Sequence, residues 1–450
     1  MVHREIDGLD RAVASLTEQG IDVVRLGYPD LLGSERGRDV LVSRFERTVG
    51  SGLAFCRSVY ATSPAGDVID IAGGMSAGLP DVVAYPDLAS VLPIPWEPGV
   101  AHCMVDIFNP DGSPSQISPR NVLKRVIEAF DRAGRQALVG PELEFFLLER
   151  DTTVPVGWSR YGDGPGNVYV TGYQGDPDSF LVRALRLLGA YGLETSAGNH
   201  EFSGGQFEIN LWHSDPLDAA DRAFRFKAAI KELARKEGKL ATFMAKPFNE
   251  EGGSGFHLHV SAVDGDGMAI FDDPDGAHGI SDRGRSAIAG VLQHAPALAA
   301  LCNPTINSYK RFGPDTLAPW LIDWGLDNRS AMLRVPPERG NSTRMEVRLG
   351  DASANPYLAI AGVLAATHIG IENKLEAPEP LEGYGYDTAK APKLPTTLED
   401  ALDALRSDTE FSEMLGHEFV EAFLAYKRNE IERFGQAVTD WEFREYAQLL

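Results

Sequence analysis

The stretch ELEFFLL at residues 142–148 decides the fold, because its large apolar residues alternate with glutamates. Side chains of a strand point alternately to its two faces. The predicted strand therefore has one apolar face suited to a hydrophobic core, formed by Leu143, Phe145 and Leu147. The opposite face carries Glu142, Glu144 and Phe146. Such a strand separates a core from a carboxylate-lined surface.

Three further segments repeat this two-faced pattern: FHLHVS at 256–261, RMEVRL at 344–349 and EFSGGQFEINL at 201–211. Their polar faces combine carboxylates, imidazoles and arginines: His257, His259 and Ser261; Arg344, Glu346 and Arg348; Glu208 and Asn210. A solvated outer face explains any one of these strands but explains the set poorly, since lysine is almost missing. Closely spaced carboxylates repel one another unless a cation lies between them. The pattern therefore predicts a metal site.

The ligand types indicate the kind of metal. Glutamate oxygens with a minority of imidazoles suit Mg²⁺ or Mn²⁺ better than zinc, since no thiolate takes part. Arginines beside such a site favour phosphate or carboxylate ligands, which a guanidinium binds through two hydrogen bonds. Neither a P-loop nor a Rossmann glycine pattern is present, so any nucleotide must be held in another way.

Two glycine-containing segments interrupt these strands. Glu201 and Glu208 are seven residues apart and would lie on opposite faces of a straight strand. Gly204-Gly205 between them permits a bulge or bend that brings both carboxylates to one centre. The sequence GGSG at 252–255 lets the backbone approach a ligand closely.

The length of the 450-residue chain and the distribution of its Gly, Pro and Asp residues predict two domains. The first hundred residues hold short apolar stretches broken by Gly, Pro and Asp, which predicts a strand-rich domain with a helix near its start. Capping residues and apolar periodicity predict helices further on. They run from Ser118 to Gly134, from Asp176 to Gly192, from Asp215 to about Gly238, and at 283–301, 356–374 and 416–434.

Composition excludes several classes of function. The net charge is −23, from 42 basic and 65 acidic residues. Without a basic run, such a chain repels nucleic acid and anionic membranes. No apolar run is long enough to cross a bilayer, and the N-terminus lacks the order of a secretory signal. The three cysteines show no paired spacing, so we expect a cytoplasmic protein.

Six segments in order resemble the signature blocks of type I glutamine synthetases. They are PELEFFLL (141–148), NHEFSGGQFE (199–208), AKPFNEEGGSGFHLHVS (245–261), NPTINSYKRFGP (303–314), NRSAMLR (328–334) and TRMEVRLGDASANPYLA (343–359). The resemblance covers about residues 105–440. It implies an α+β fold with a small β-grasp-like domain at residues 1–105. Residues 106–450 would form a glutamine synthetase-like catalytic domain of antiparallel strands flanked by helices.

The resemblance also implies a reaction and its cofactors. The family phosphorylates the side-chain carboxylate of glutamate with ATP, and an amine then displaces phosphate. Two divalent metals, Mg²⁺ or Mn²⁺, assist. One would be held by Glu144, Glu201 and Glu208, and the other by Glu142, His257 and Glu346.

The substrate-binding residues implied by the resemblance fall into two groups. Glutamate and the intermediate would be bound by Arg311, Arg348 and the backbone of Gly253. ATP would be bound by His259, Ser261, Arg334 and Arg344, with Arg329 also facing the phosphates. Arg311, Arg329 and Arg348 are the arginines predicted to act in catalysis.

The amine site is implied less directly. Asp30, in YPDLLGSERG, matches a catalytic aspartate that helps bind and deprotonate the amine. In the family a neighbouring subunit of a ring supplies this residue, and two hexameric rings stack into a dodecamer. The alternative is that Asp30 is a turn residue after Pro29. Tyr169 falls near an amine-pocket tyrosine, and Glu201 also faces that pocket.

One departure bears on the acceptor. The loop that closes over glutamate keeps its frame from Arg311 to Pro319, but Leu317 replaces the glutamate that helps hold ammonium. Gly252 likewise replaces an asparagine. The predicted metal ligands all remain. This combination resembles ligases that join glutamate to polyamines or to small monoamines such as ethanolamine, and we expect that activity.

Two alternatives stay open. The first is a glutamine synthetase using ammonium, with Asp315 supplying the missing charge. The second is a non-catalytic structural or regulatory assembly. The retained carboxylates argue against the second, since a scaffold has no need of groups that repel one another.

Overall fold

The computed structural model describes residues 8–162, 164, 166–314 and 316–450, and it has the predicted α+β fold. The strands are β1 (Val23–Pro29), β2 (Glu35–Leu41), β3 (Leu53–Cys56), β4 (Asp81–Pro86), β5 (Leu92–Pro93), β6 (Val100–Phe108), β7 (Arg135–Arg150), β8 (Trp158–Arg160), β9 (Thr195–His200), β10 (Gln206–Leu211), β11 (Leu240–Thr242), β12 (Phe256–Asp264), β13 (Trp324–Leu326), β14 (Leu333–Val335) and β15 (Met345–Val347). The α-helices are α1 (Leu9–Glu18), α2 (Val42–Ser51), α3 (Pro119–Arg132), α4 (Phe180–Ala190), α5 (Pro216–Lys236), α6 (Asp282–Gln293), α7 (Ala295–Cys302), α8 (Pro356–Glu372), α9 (Leu398–Ser407), α10 (Thr409–Leu415), α11 (His417–Gly435) and α12 (Asp440–Tyr446).

The N-terminal strands form one sheet in the order β2-β1-β6-β4-β3, with β5 beside β6. Helix α1 confirms the helix predicted near the start of the chain. The division into two domains stays a prediction. The predicted division at residue 105 lies within β6.

The second sheet has the order β13-β14-β15-β12-β7-β10-β9, and β8 and β11 also pair with β7. Its neighbouring strands are antiparallel except for β13 and β14. The predicted apolar faces are confirmed, because every residue assigned to them is buried: Leu143, Phe145, Leu147, Phe207, Ile209, Leu211, Phe256, Leu258, Val260, Met345, Val347 and Leu349. Phe146, assigned to the polar face, is buried as well and packs against Phe248.

The core lies behind this sheet. Helices α3 and α5 pack against β7, and α8 packs against α3, α5, α6 and α7. Residues 356–367 of α8 are all buried, as expected of a helix that is apolar all round. Within the described part of the chain, no helix is long and apolar enough to cross a membrane.

Two of the predicted helix boundaries are wrong. The helix predicted from Asp176 begins only at Phe180, because Ser179 has a left-handed backbone with φ 56°. The Asp176 carboxylate still accepts hydrogen bonds from the N–H groups of Phe180 and Leu181. Asp176 therefore caps the first turn of the helix, although it does not directly precede it. The helix predicted at 283–301 is divided into α6 and α7, just before Pro296, whose ring cannot continue a helix.

A buried ion cluster joins the first sheet to the helices behind the second. The guanidinium of Arg120 in α3 is only 2% exposed and contacts three carboxylates, those of Asp87, Asp106 and Asp221. Tyr357 in α8 donates a further hydrogen bond of 2.6 Å to Asp221. Each acid comes from a different element, so Arg120 fixes their relative positions.

Candidate active site

The strand register brings the polar faces of the second sheet together. Glu208 of β10 lies opposite Glu144 of β7. His257 of β12 lies opposite Glu142, and His259 lies opposite Glu346 of β15. Directly opposed residues have Cβ atoms about 4.5–5.5 Å apart, so the side chains form one continuous polar surface.

Glu201 reaches this surface through a hairpin turn. Residues 195–211 form two antiparallel strands, and the Glu201 N–H donates to the Gln206 carbonyl across the turn. Gly205 has φ 71°, a conformation that glycine adopts without strain. The bend predicted at Gly204-Gly205 is therefore present, as a turn between strands and not as a bulge within one.

A cavity of about 650 Å³ opens over this surface. Its lining includes all the predicted metal ligands, the predicted glutamate-binding residues and two of the predicted phosphate-binding arginines. These residues are Glu142, Glu144, Glu201, Glu208, His257, Glu346, Gly253, Arg311, Arg348, Arg329 and Arg334. Tyr169 and Leu317 also line it, so the predicted amine pocket adjoins the predicted metal site.

Glu142 and Glu346 are held ionised by their neighbours. Burial opposes ionisation of Glu142, but hydrogen bonds with His257 and His259 keep its pKa well below the usual range. Burial likewise opposes ionisation of Glu346, yet the charge of Arg348 is the main influence lowering its pKa to about 2. The Arg348 and Arg334 guanidiniums each lie 2.6 Å from a different Glu346 oxygen.

Glu201 and Glu208 have the opposite character. Burial, then the charge of Glu144, raises the pKa of Glu201 to about 7. Burial, then the charges of Glu142 and Glu144, raises the pKa of Glu208 to about 9. These carboxyl groups repel one another in the absence of a cation, which is the arrangement that a divalent metal relieves.

The ligand atoms come within 4.8 Å of one another in two groups, Glu142 with Glu208 and His257, and Glu142 with His259 and Glu346. The predicted sets are thus only partly reproduced. Glu142 belongs to both groups, and His259, predicted to bind nucleotide, joins the second. Among the described residues, neither group includes Glu144 or Glu201. The oxygen-rich donor set fits Mg²⁺ or Mn²⁺.

Three side-chain amides, none of them predicted as a metal or substrate ligand, hold three of these glutamates. Asn199 donates to Glu201 at 2.8 Å, Gln206 to Glu144 at 2.9 Å, and Asn210 to Glu208 at 3.1 Å. Partners of this kind orient metal ligands. Asn210 was placed on the polar face of its strand, but the positions of Asn199 and Gln206 follow only from the hairpin.

We expect Mn²⁺ binding to the metal-free protein to release protons, since the raised pKa values leave Glu208 mostly and Glu201 partly protonated at pH 7 until a cation displaces the protons. Affinity should rise from pH 6 to pH 8 because both folded pKa values lie above the lower end of this range. Calorimetric titration at pH 7 in buffers of different ionisation enthalpy measures the protons released. Glu208→Gln should release fewer, and an enthalpy independent of buffer would contradict the expectation.

The glutamate-binding region is tightly packed. A Cβ added at Gly253 would lie 2.5 Å from the Ala245 carbonyl oxygen and 2.6 Å from Cγ of Arg311. The Arg311 guanidinium is buried, and burial lowers its pKa from an ordinary value that lies far above neutrality. Gly253 therefore brings the backbone close to a buried guanidinium, as a carboxylate site requires.

A second cavity of about 580 Å³ adjoins the first and contains all four residues predicted to bind ATP, His259, Ser261, Arg334 and Arg344. The two cavities share Glu142, Asn210, Arg329 and Arg334. The His259 ring lies between Glu142 and Arg344, at 2.9 and 3.2 Å. Sequence reasoning missed Trp212, an exposed ring in the same lining.

Asp30 lines neither cavity. Its carboxylate is 1% exposed, and it accepts hydrogen bonds from the N–H groups of Leu32 and Ser34 and from the Arg36 guanidinium. This is the geometry of the turn interpretation. Its role in an amine site shared between subunits stays a prediction.

Three exposed side chains form an apolar rim at the first cavity: Tyr169, Phe202 and Leu317, with exposed fractions of 64%, 57% and 43%. Tyr169 and Leu317 have φ values of 63° and 58°. Bulky residues adopt this left-handed conformation at a cost of about 1–3 kcal/mol, and such strain concentrates at functional sites. Phe202 was missed, since nothing in the sequence shows that this aromatic residue is exposed.

Comparison with known proteins identifies the same family as the six signature segments do. The family described as glutamine synthetase, catalytic domain, matches residues 116–446. A glutamine synthetase of Methanocaldococcus jannaschii is 36% identical over 97% of this chain and 98% of its own length. One from Halobacterium salinarum is 34% identical over 98% of this chain and 96% of its own length.

Several solved structures are similar to this chain over nearly its whole length. GmaS without ligand superimposes with a TM-score of 0.85 at 30% identity, over 97% of this chain and 99% of that one. Its complex with ADP gives a TM-score of 0.83 at 31% identity with the same coverage. A glutamine synthase homologue gives 0.82 at 28%, over 96% of this chain and 99% of the other.

Proposed function

The chain belongs to the glutamine synthetase family of ATP-dependent ligases, and we propose that it joins the side-chain carboxylate of glutamate to an organic amine. The apolar rim of Tyr169, Phe202 and Leu317 carries this proposal. Ammonium has no apolar surface to bury, so it gains nothing from these side chains. An amine with a carbon substituent gains hydrophobic contact there.

The shared lining of the two cavities supports the phosphorylation step. Arg311, Arg348 and the backbone at Gly253 would bind glutamate in the first cavity. The nucleotide would lie in the second, with its phosphates toward Arg329 and Arg334, which line both. A glutamate oxygen then attacks the terminal phosphorus, the bond to the β-phosphate oxygen breaks and ADP leaves, and these guanidiniums stabilise the charge that develops on the phosphoryl oxygens.

The second step replaces phosphate by the amine. The amine nitrogen attacks the acyl carbon of γ-glutamyl phosphate, phosphate leaves, and the nitrogen loses a proton. Glu201, which lines the cavity next to Phe202, would take up that proton. Divalent cations held by the glutamates and His257 would neutralise phosphate charge when bound.

Phosphate release from ATP with glutamate and Mg²⁺ tests the proposal across ammonium, methylamine, propylamine, ethanolamine, putrescine and spermidine. We expect an organic amine to give the highest kcat/KM. Ammonium as the best acceptor would overturn the proposal, and no turnover with any amine would favour the non-catalytic alternative.

Leu317→Glu should move the preference toward ammonium, raising the ratio of ammonium to alkylamine kcat/KM by about tenfold or more. The substitution places a negative charge in the cavity lining and removes an apolar contact worth about 1–3 kcal/mol. Leu317→Met, which stays apolar, is the matched control and should keep the wild-type ratio. An unchanged ratio in Leu317→Glu would show that this position does not select the amine.

Glutamine synthesis from ammonium is the second candidate, because the curated relatives at 34–36% identity are named glutamine synthetases. For this activity, the negative charge that holds ammonium would have to come from Asp315, which lies outside the described residues. Asp315→Asn would then lose ammonium turnover selectively.

A homo-oligomer, specifically a dodecamer of two stacked hexameric rings, remains part of the proposal. The mass measured by sedimentation, relative to the 48.8 kDa chain, tests it.

A further inference from the structure

The geometry of the rim leads us to infer that the preferred acceptor is a primary monoamine with an apolar substituent, and that Phe202 determines this specificity. The inference rests on the proposed function, since it needs an organic amine as acceptor. It excludes polyamines and hydroxyalkylamines as preferred substrates, although both are compatible with the sequence alone.

Phe202 is fixed next to a carboxylate in the cavity. It follows Glu201 directly in the turn between β9 and β10, and both residues line the cavity. Its ring is 57% exposed although it lines the cavity. An amine whose nitrogen lies at Glu201 therefore places its first carbon atoms within reach of this ring.

The other rim residues come from separate parts of the chain. Tyr169 is tied to β9, because its N–H donates to the His200 carbonyl at 2.9 Å. Leu317 belongs to the loop after Arg311, and the adjacent Ala318 carbonyl accepts a hydrogen bond from the Tyr386 hydroxyl. Strain at Tyr169 and Leu317 shows that surrounding structure holds both in place.

A second cationic group on the amine would have no free partner among the described residues of this cavity. The acidic residues that line it are Glu142, Glu144, Glu201, Glu208 and Glu346, all of them predicted metal ligands. The nearby Glu251 carboxylate is paired with Arg160 at 2.8 Å. A distal ammonium would therefore face the exposed rings of Tyr169 and Phe202 and no free carboxylate, and attraction to such rings offsets only part of the lost hydration.

A hydroxyl group on the amine is also poorly matched to the rim. Thr316 and Tyr169 offer hydroxyls in the cavity lining, but the Thr316 hydroxyl already donates to the Gly313 carbonyl at 2.7 Å. The Tyr169 side chain is 64% exposed, so a hydrogen bond to its hydroxyl replaces one to water and adds little. An alkyl group of equal size makes the same contacts and gives up no hydrogen bonds to water.

Isosteric amine pairs test the inference directly. Propylamine matches ethanolamine in size, and pentylamine matches putrescine, so each pair differs only in a terminal methyl against a hydroxyl or an ammonium. Phosphate release with glutamate and ATP gives kcat/KM for each. We expect the alkyl member to exceed its isostere by about tenfold or more in both pairs.

Substitutions then locate the specificity. Phe202→Ala should bring the propylamine to ethanolamine ratio close to one, whereas Phe202→Leu should keep most of the preference. Phe202→Glu should reverse the second pair in favour of putrescine. Tyr173→Ala is the matched control, because this exposed aromatic residue of a neighbouring segment does not line the cavity, and it should keep both ratios.

The outcomes separate the inference from the proposed function. Ammonium as the best acceptor defeats both. An organic acceptor with ethanolamine or putrescine equal to or above its isostere overturns the inference alone. An alkyl preference that survives Phe202→Ala overturns the role of Phe202.

Discussion

Replacing Glu142 by glutamine is expected to lower kcat about a thousandfold or more, which corresponds to a loss of several kcal/mol of transition-state stabilisation. Glu142 belongs to both groups of candidate ligand atoms and contacts both histidines. The neutral amide keeps the size of the side chain but removes the charge that attracts both cations.

The fold should survive this substitution. Removing the charge of Glu142 relieves its repulsion of Glu208 but also loses its attraction to His257 and His259. The melting temperature without metal should therefore stay near that of wild type or fall slightly, while calorimetry should show weaker Mn²⁺ binding. Glu149→Gln, on the same strand outside both cavities, is the control. Residual activity within tenfold of wild type would refute the central role given to Glu142.

Arg120→Met should destabilise the folded chain by about 3–5 kcal/mol, the usual cost of removing one partner from a buried ion cluster. Three carboxylates would lose a shared guanidinium, and Asp221 lies deep between α3, α5 and α8. Urea unfolding followed by circular dichroism measures the change. Arg120→Lys retains one charge but cannot reach all three acids, so it should fall between wild type and Arg120→Met.

The matched control is Arg132→Met on the same helix, where the side chain is 71% exposed and Glu128 lies 4.0 Å away. Its effect should be below about 1 kcal/mol.

Acid sensitivity gives an independent check. Burial opposes ionisation of Asp106, but Arg120 and Lys124 lower its pKa. Its contribution is therefore present above the unfolded pKa of about 4 and is lost as pH falls through the lower native value. Equal stability of Arg120→Met and Arg132→Met would contradict this account.

Local rules predicted much of the fold. Strand alternation assigned the faces of β7, β10, β12 and β15, because burial on one side selects apolar residues at every second position. Capping chemistry located the start of α5, where Asp215 accepts hydrogen bonds from two N–H groups. The start of α4 was predicted at Asp176, but the helix begins at Phe180, because Ser179 has a left-handed backbone conformation.

The site was predictable as a set of residues but not as a set of pairings. Which ligand faces which depends on the order of strands in the sheet, and single-sequence alternation does not contain that order. Thus His259 joins a group with Glu346 across β12 and β15, although it was assigned to the nucleotide. The role of Phe202 could not be predicted for a similar reason, because its exposure arises from the hairpin at Gly205.

The positions predicted to hold the metal and those proposed to choose the amine lie on different kinds of structure. Most predicted metal ligands sit on paired strands, whereas Tyr169, Phe202 and Leu317 lie on connections between elements. Connections tolerate sequence change better than paired strands do. After gene duplication, a copy of this enzyme could therefore acquire a new acceptor by a few loop substitutions while its phosphorylation chemistry stays intact. Directed evolution of amide-forming catalysts should begin with libraries at these three positions.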